Sequence, residues 1–330
     1  MYTIKEYSCE DEKQWDQFIK EQSVNGTFLH SRRFLNYHPE GRFEDASLMI
    51  RDSKNKLVAI CPGCVIYNAD GEKTFFSHKG STYGGIIIAS KYYSAKYVMP
   101  LVQELEDYLR DNGYKHVYYK STADIFCKER SALLEYAFYN QGYTEYKELN
   151  TYIDYGNYKE DVVSNFTQGK RTHVHSCERE GLVTREIFDD DDVATYYDIL
   201  CENLSKYDLK PVHTLAELLE FKNSRLKDEV GFFGTYLGDV MVSGGMLFYF
   251  RNANVAHTQY LSSRSDYLAL SPMTYTYYWI IREMRERGFK YLSWGIATED
   301  FGRFLNEGLI ANKESYGSTY GNNMTYYKKL

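Results

Sequence analysis

Short runs with alternating apolar and polar residues are interleaved with longer runs at helical spacing. In the second half, EVGFFGTYLG, DVMVSGGMLFYF and NVAHTQYLSS read as three strands. Leu-Gly-Asp and Arg-Asn-Ala separate them, which are short hairpin signals. Leu268–Arg287 then carries apolar residues at helical spacing and stops at Gly288, a C-terminal cap. FKYLSWGI follows as a strand, then a helical or irregular piece to Lys313, then a last strand, NMTYYKKL. The first half runs the same way. ASLMIRD, KLVAICPGCVIY and KTFFSH are strands joined by Ser-Lys-Asn and Ala-Asp-Gly turns. A helix over Val98–Asn112 ends at Gly113, and HVYYKST, a helical run Ala132–Tyr139 and NTYIDY complete the half.

The pattern is thus present twice, and the sequence itself repeats. RDNGYKHVYY (110–119) matches RERGFKYLSW (285–294), and GYTEYKELNTYIDY (142–155) matches GSTYGNNMTYYKKL (317–330). Both pairs have the same offset, since 288 − 113 and 317 − 142 are each 175. Each half reads β-β-β-α-β-α-β. The expectation is an α/β fold of two tandem domains, 1–158 and 159–330, each a mixed, twisted sheet covered by helices, with the last strand packing on either one. Ser164–Glu180 reads as a basic helix opening the second half, and the Thr214-x-x-Glu217 box marks a helix start.

Composition adds exclusions. The chain has 330 residues, 43% hydrophobic and 26% charged, which suits a full core. Its net charge of −7 argues against a broad basic face for DNA or other long nucleic acid, while leaving room for a local basic cleft. No apolar run is long enough to span a membrane, and the polar start MYTIKEYSCEDEK points to a cytoplasmic protein. Cys61-Pro-Gly-Cys64 lies between strand-like flanks, so it reads as a core pair and not as a redox or zinc motif. His173-Val-His175 has no third ligand placed by the sequence, and no metal is expected.

The repeat resembles the GNAT acyltransferase fold, and two such units in tandem resemble the FemAB-type branch of that superfamily. The motifs that carry the resemblance are TFLHSRRFLNYH, SHKGSTYGG, KRTHVHSCEREGL, HTQYLSS and WGIATEDFGRFLNEGLIANKESYG, spread in order over nearly the whole chain. The resemblance implies transfer of an acyl group to an amine of an amino-sugar or peptide precursor of the cell envelope. The implied donor is acyl-CoA; the alternatives are aminoacyl-tRNA, or a degenerate pair that only binds a glycan or a partner. A CoA-binding turn corresponds here to Arg264-Ser-Asp-Tyr267-Leu-Ala269. Arg264 and Ala269 fit, but Tyr267 replaces the central glycine and hinders close backbone approach.

Several residues fit that chemistry. Period-2 alternation puts His257, Gln259 and Leu261 on one strand face, with His257 a base or donor beside the Gln259 amide, or else a histidine packed under a helix. Glu299 and Asp300 follow a strand end, where one acid could take the ammonium proton; alternatively Thr298-Glu-Asp caps a helix over Phe301–Leu309. The resemblance gives Lys313, shortly before Tyr316-Gly317, a role with phosphate or transition-state charge. Tyr83, Lys120 and the Ser31-Arg32-Arg33 cluster, Arg33 in particular, are candidates for holding an acceptor with phosphate groups, and Arg171 is expected to face the same cleft.

Overall fold

The computed structural model describes residues 2–330. In chain order the main elements are β1 (Thr3–Glu6), α1 (Glu12–Glu21), β2 (Leu48–Arg51), β3 (Leu57–Cys61), β4 (Cys64–Tyr67), β5 (Lys73–Ser77), α2 (Ala95–Asp111), β6 (His116–Lys120), α3 (Ala132–Asn140) and β7 (Thr144–Asp154). Then follow α4 (Gln168–Arg179), β8 (Leu182–Ile187), α5 (Asp190–Ser205), α6 (Leu215–Glu220), β9 (Val230–Leu237), β10 (Val240–Phe250) and β11 (Val255–Ser263). The chain closes with α7 (Pro272–Glu286), β12 (Tyr291–Ile296), α8 (Glu307–Glu314) and β13 (Thr319–Lys329). The class is mixed α/β. These elements gather into two compact units. One holds Met1–Leu149, Thr298–Phe304 and Gly321–Leu330, the other Asn150–Ala297 and Leu305–Tyr320. No helix among the described residues is long and apolar enough to cross a membrane.

In the first unit β2 pairs antiparallel with β1 and β3, β4 and β5 form a hairpin, and β5 runs parallel to β6. β13 pairs antiparallel with β6, Thr325 opposite Lys120. Trp15 and Phe18 of α1 and the apolar face of α2 close one core over these strands. Cys61 and Cys64 are both buried, and burial pushes the Cys61 thiol far up, as expected of an inert core pair. Arg32 belongs to this core and not to a binding surface. Its guanidinium stacks 3.5 Å over Tyr7 and 4.4 Å from Trp15, and it pairs with Asp45. Arg33 beside it is exposed.

In the second unit β8, β9, β10 and β11 form an antiparallel run, and β12 pairs antiparallel with the Asn150–Asp154 part of β7. Gly244 and Gly245 of β10 explain how helices cover both faces. Neighbouring strand residues point to opposite faces. A Cβ on Gly244 would sit 2.7 Å from the Tyr196 ring of α5, and one on Gly245 would sit 2.6 Å from Leu261 and 3.6 Å from Ile280 of α7. The absent side chains therefore let α5 and α7 press onto the same strand from either side. The α6 start is as read: Thr214 Oγ1 accepts from Glu217 N–H at 3.3 Å, and the Glu217 carboxylate accepts from Thr214 N–H at 2.7 Å.

Three expected helix boundaries move. The helix expected from Leu268 begins at Pro272, because Ser271 is left-handed (φ 53°) and Ser265–Leu270 forms a tighter 3-10 turn. The basic helix expected over 164–180 begins at Gln168, after a short turn at Val162–Asn165. The helix expected over Phe301–Leu309 is instead α8. Asp300 and Phe301 are left-handed (φ 46° and 53°), which breaks any helix there, and Asn306 caps α8 by accepting from Leu309 N–H at 3.0 Å. Thr298–Asp300 therefore caps nothing.

Gly244→Ala is expected to destabilise the protein by about 1–3 kcal/mol, as overpacking does. The new methyl would meet Phe233 O at 2.6 Å as well as Tyr196. Urea unfolding followed by fluorescence checks this; an unchanged midpoint would refute the close fit.

Candidate functional site

Two parallel strands part company in the second unit. β11 and β12 pair only through Val255–His257 and Tyr291–Ser293, although β11 continues to Ser263 and β12 to Ile296. Each strand carries a bulge at the point of parting. On β11 the register steps from Thr258 opposite Leu247 to Tyr260 opposite Met246, so Gln259 has no counterpart on β10. On β12 it steps from Ser293 opposite Tyr152 to Gly295 opposite Thr151. Gly295 takes φ 73°, a conformation that costs glycine least. The extra residue also flips the face pattern. His257 lies 6.2 Å from Phe250, while Leu261 packs with Ala256 and Ile280 under α7. The expectation that His257 and Leu261 share a face is thus corrected, because strict alternation assumes no bulge.

His257 closes the paired stretch. Its Nδ1 is 3.1 Å from Ser293 Oγ, which itself accepts from Gly295 N–H at 3.2 Å. Burial first, and the nearby Lys313 charge second, push the imidazole down to about 4, so the ring is neutral at physiological pH. Lys313 comes from the last turn of α8, where the helix field favours a cation. It is 4% exposed, far from an ordinary surface lysine. Its Nζ donates to Gly295 O at 3.1 Å and Ile296 O at 2.7 Å. Burial pulls its pKa down to about 8. The end of α8 is tied to β12, since Trp294 Nε1–H donates to Ser318 Oγ at 2.9 Å and that hydroxyl donates to Lys313 O at 2.7 Å.

The sequence candidates therefore divide. His257 and Lys313 come together, with Gln259 two residues further along the His257 strand. Glu299 is exposed and falls, with Thr298–Phe304, in the first unit. Arg171 is exposed on α4. In the first unit Lys120 Nζ donates to Ser81 O at 3.4 Å, and the buried Tyr83 hydroxyl donates to Asn323 Oδ1 at 3.5 Å. Burial lowers the Lys120 pKa, against the attraction of Glu148, whose own pKa burial raises. No gap opens between β5 and β6, which are paired from Thr74–His116 to Ser77–Tyr119. Gly84 N–H then donates to Lys120 O at 2.7 Å, and Gly85 N–H to Ser77 Oγ at 2.9 Å. Ser293 and Gly295 were missed by the sequence reading. The glycine inside the strand run FKYLSWGI was the signal, because an isolated strand glycine marks a bulge.

Residues 164–303 match the family description Acetyltransferase (GNAT) domain. The matched segment is 140 of the 330 residues. It contains β11, its bulge and all of β12, and ends before α8 and Lys313. Among solved structures, the chain is similar to FemX, with TM-score 0.70 at 10% identity, covering 99% of this chain and 97% of that one. It is also similar to L-PGS from Bacillus licheniformis, with TM-score 0.61 at 12% identity, covering 98% and 93%. A tandem GNAT protein from the clavulanic acid biosynthesis pathway gives 0.55 at 8% identity, covering 100% and 98%. At these identities the likeness is one of fold, and the fold is the tandem GNAT one. No curated protein sequence matches the chain.

A GNAT domain commonly holds CoA through N–H groups after the strand corresponding to β11. Here those groups fit a pyrophosphate poorly. Ser265 N–H donates to Glu202 Oε1 at 2.8 Å, and Arg264 Nε donates to Met241 O at 2.9 Å. α7 begins with Pro272, which has no N–H, and Ala269 is exposed in the turn ahead of it. A carboxylate thus already occupies part of the cradle that an anion would need.

Between pH 8 and 10.5 an unfolded Lys313 stays protonated while the folded one does not, so this residue makes stability rise with pH across that window and costs stability below it. The unfolding free energy of wild type minus that of Lys313→Met is expected to climb by about 2 kcal/mol from pH 7.5 to 10.5. Denaturant titrations at several pH values measure this, and a flat difference would mean the amine is not buried. Gly295→Ala would place a methyl 3.3 Å from His257 Cε1 in a left-handed conformation. It is expected to cost about 1–2 kcal/mol and to shift the His257 ring resonances in NMR spectra.

Proposed function

We propose that the chain is an N-acyltransferase that forms an amide on the amine of an amino-sugar or peptide precursor of the cell envelope. The observation that carries this reading is the buried Lys313 ammonium beside a neutral His257, at the parting of β11 and β12 in a GNAT acetyltransferase domain.

The acceptor amine attacks the carbonyl of an activated acyl ester. A C–N bond forms, and negative charge develops on the carbonyl oxygen. Two of the three Lys313 N–H groups are held by Gly295 O and Ile296 O, which leaves the third to donate to that oxygen or to the leaving atom. Collapse breaks the bond to the leaving group, which takes a proton from Lys313, and the new amide loses its extra proton to water. A pKa near 8 suits a general acid at neutral pH. His257, neutral and fixed through Ser293, accepts a hydrogen bond from the amine and orients it. Gln259, which has no β10 counterpart, is proposed to offer its backbone N–H, while its side chain bonds the Tyr260 hydroxyl.

The Glu202–Ser265 contact favours a donor that brings no pyrophosphate to that turn, such as the aminoacyl ester of a tRNA. The acetyltransferase family match of residues 164–303 favours the second reading, an acyl-CoA donor. Calorimetric titration separates them: no heat with acetyl-CoA is expected, and saturable micromolar binding would reverse the choice.

Lys313→Ala is expected to lower kcat by about 10²–10⁴-fold. Wild-type activity should fall as pH rises through about 8, and Lys313→Arg, whose guanidinium cannot release a proton to the leaving group, should lose most of that activity at every pH. Wild-type turnover by Lys313→Ala in an amide-transfer assay would sink the proposal.

A further inference from the structure

We infer that the first unit holds a binding pocket for the phosphates of a small phosphorylated molecule, at the start of α2. A cavity of about 470 Å³ opens there, and Lys54, Lys56, Lys91 and Lys96 line it with a single acid, Asp52. In a chain with 46 acidic and 39 basic residues, four lysines against one aspartate is a local inversion of charge.

That one acid offsets at most one of the four charges. Both Asp52 oxygens are engaged by uncharged donors. Oδ1 accepts from Lys54 N–H and Lys56 N–H, each at 2.9 Å, and Oδ2 accepts from the Tyr92 hydroxyl at 2.7 Å. These bonds fix the tight turn between β2 and β3, where Asn55 is left-handed (φ 62°), and so fix the backbone that carries Lys54 and Lys56. Lys91 comes from the turn Ser90–Tyr92, and Lys96 from the first turn of α2. Among the described residues none of the four lysines forms an ion pair; the Lys96 ammonium lies 5.5 Å from the Tyr97 ring.

The helix adds to the field. α2 is 17 residues long, has no acid in its first turn, and its N-cap Ser94 makes no side-chain cap bond. The partial positive charge of its N-terminus lies in the same stretch of chain as Lys91 and Lys96. Four like charges set against one carboxylate repel on balance. A phosphate dianion relieves the repulsion, and lysine binds it as a mobile point charge. Tyr92 and Tyr97, packed edge to face at 74°, line the cavity wall and give apolar contact for the organic part of such a molecule. None of these residues belongs to the His257–Lys313 site, so the inference stands apart from the proposed reaction.

Calorimetry on the full chain with inorganic pyrophosphate and with ADP, in about 50 mM salt to limit screening, tests the pocket. Saturable binding is expected. It should weaken by about tenfold or more in Lys91→Glu/Lys96→Glu and in Lys54→Glu/Lys56→Glu, and stay unchanged in Lys313→Ala. Co-sedimentation with phosphatidylglycerol vesicles distinguishes the sources of the phosphate. Vesicle binding lost in the same variants would assign a lipid headgroup, and ADP binding without vesicle binding would assign a free nucleotide. Absence of both, or full affinity in charge-reversed variants that melt like wild type, would overturn the inference.

Discussion

A lysine ammonium held away from water by two strand carbonyls is the constraint on which the arrangement of the second unit's strand ends depends. Such a charge is costly to bury unless every donor is used. The carbonyls of Gly295 and Ile296 supply two acceptors only because the β12 bulge turns the strand there. The same bulge sets Ser293 to hold His257. Three features that look separate in sequence (a strand glycine, a serine two residues before it, and a lysine in a later helix) are one device. Remove the bulge and the lysine loses its partners, the histidine its anchor, and the strands their reason to part.

The two halves repeat one another without repeating this device. In the first half the chain after β5 folds back, and Gly84 donates to Lys120 O, so the space beside the strand end is filled by backbone. In the second half β11 runs on, and the space stays open to side chains. The duplicated scaffold serves stability in both units, and the difference between them is decided by a few residues after a strand end.

Much of this architecture was legible in the sequence. The repeat at offset 175, the hairpin signals and the helix-ending glycines at 113 and 288 are local features, and local physics controls them. Lys313 was legible only through family resemblance, because nothing in ANKESYG distinguishes a buried lysine from a solvated one. Its burial comes from residues about twenty positions away. The bulges defeated period-2 reasoning at His257 and Leu261, since a bulge is set by the partner strand as much as by its own residues. The helix expected at Phe301 failed for a similar reason: an acid pair after a threonine imitates a cap, while the left-handed backbone at Asp300 and Phe301 is imposed from outside. Among Ser31, Arg32 and Arg33, the sequence could not tell which arginine the aromatic rings of Tyr7 and Trp15 would claim.

The adjacent glycines of β10 have a consequence for how this protein can diverge. Position 245 has no room because the Leu261 side chain fills it, and position 244 because the Phe233 carbonyl and the Tyr196 ring do. A larger residue at 245 is admissible only with a smaller one at 261, so those two sites drift as a linked pair. Position 244 has no such exchange, because a backbone oxygen cannot be made smaller. Relatives that keep the fold at low identity would then be expected to trade volume between 245 and 261 and to keep the glycine at 244.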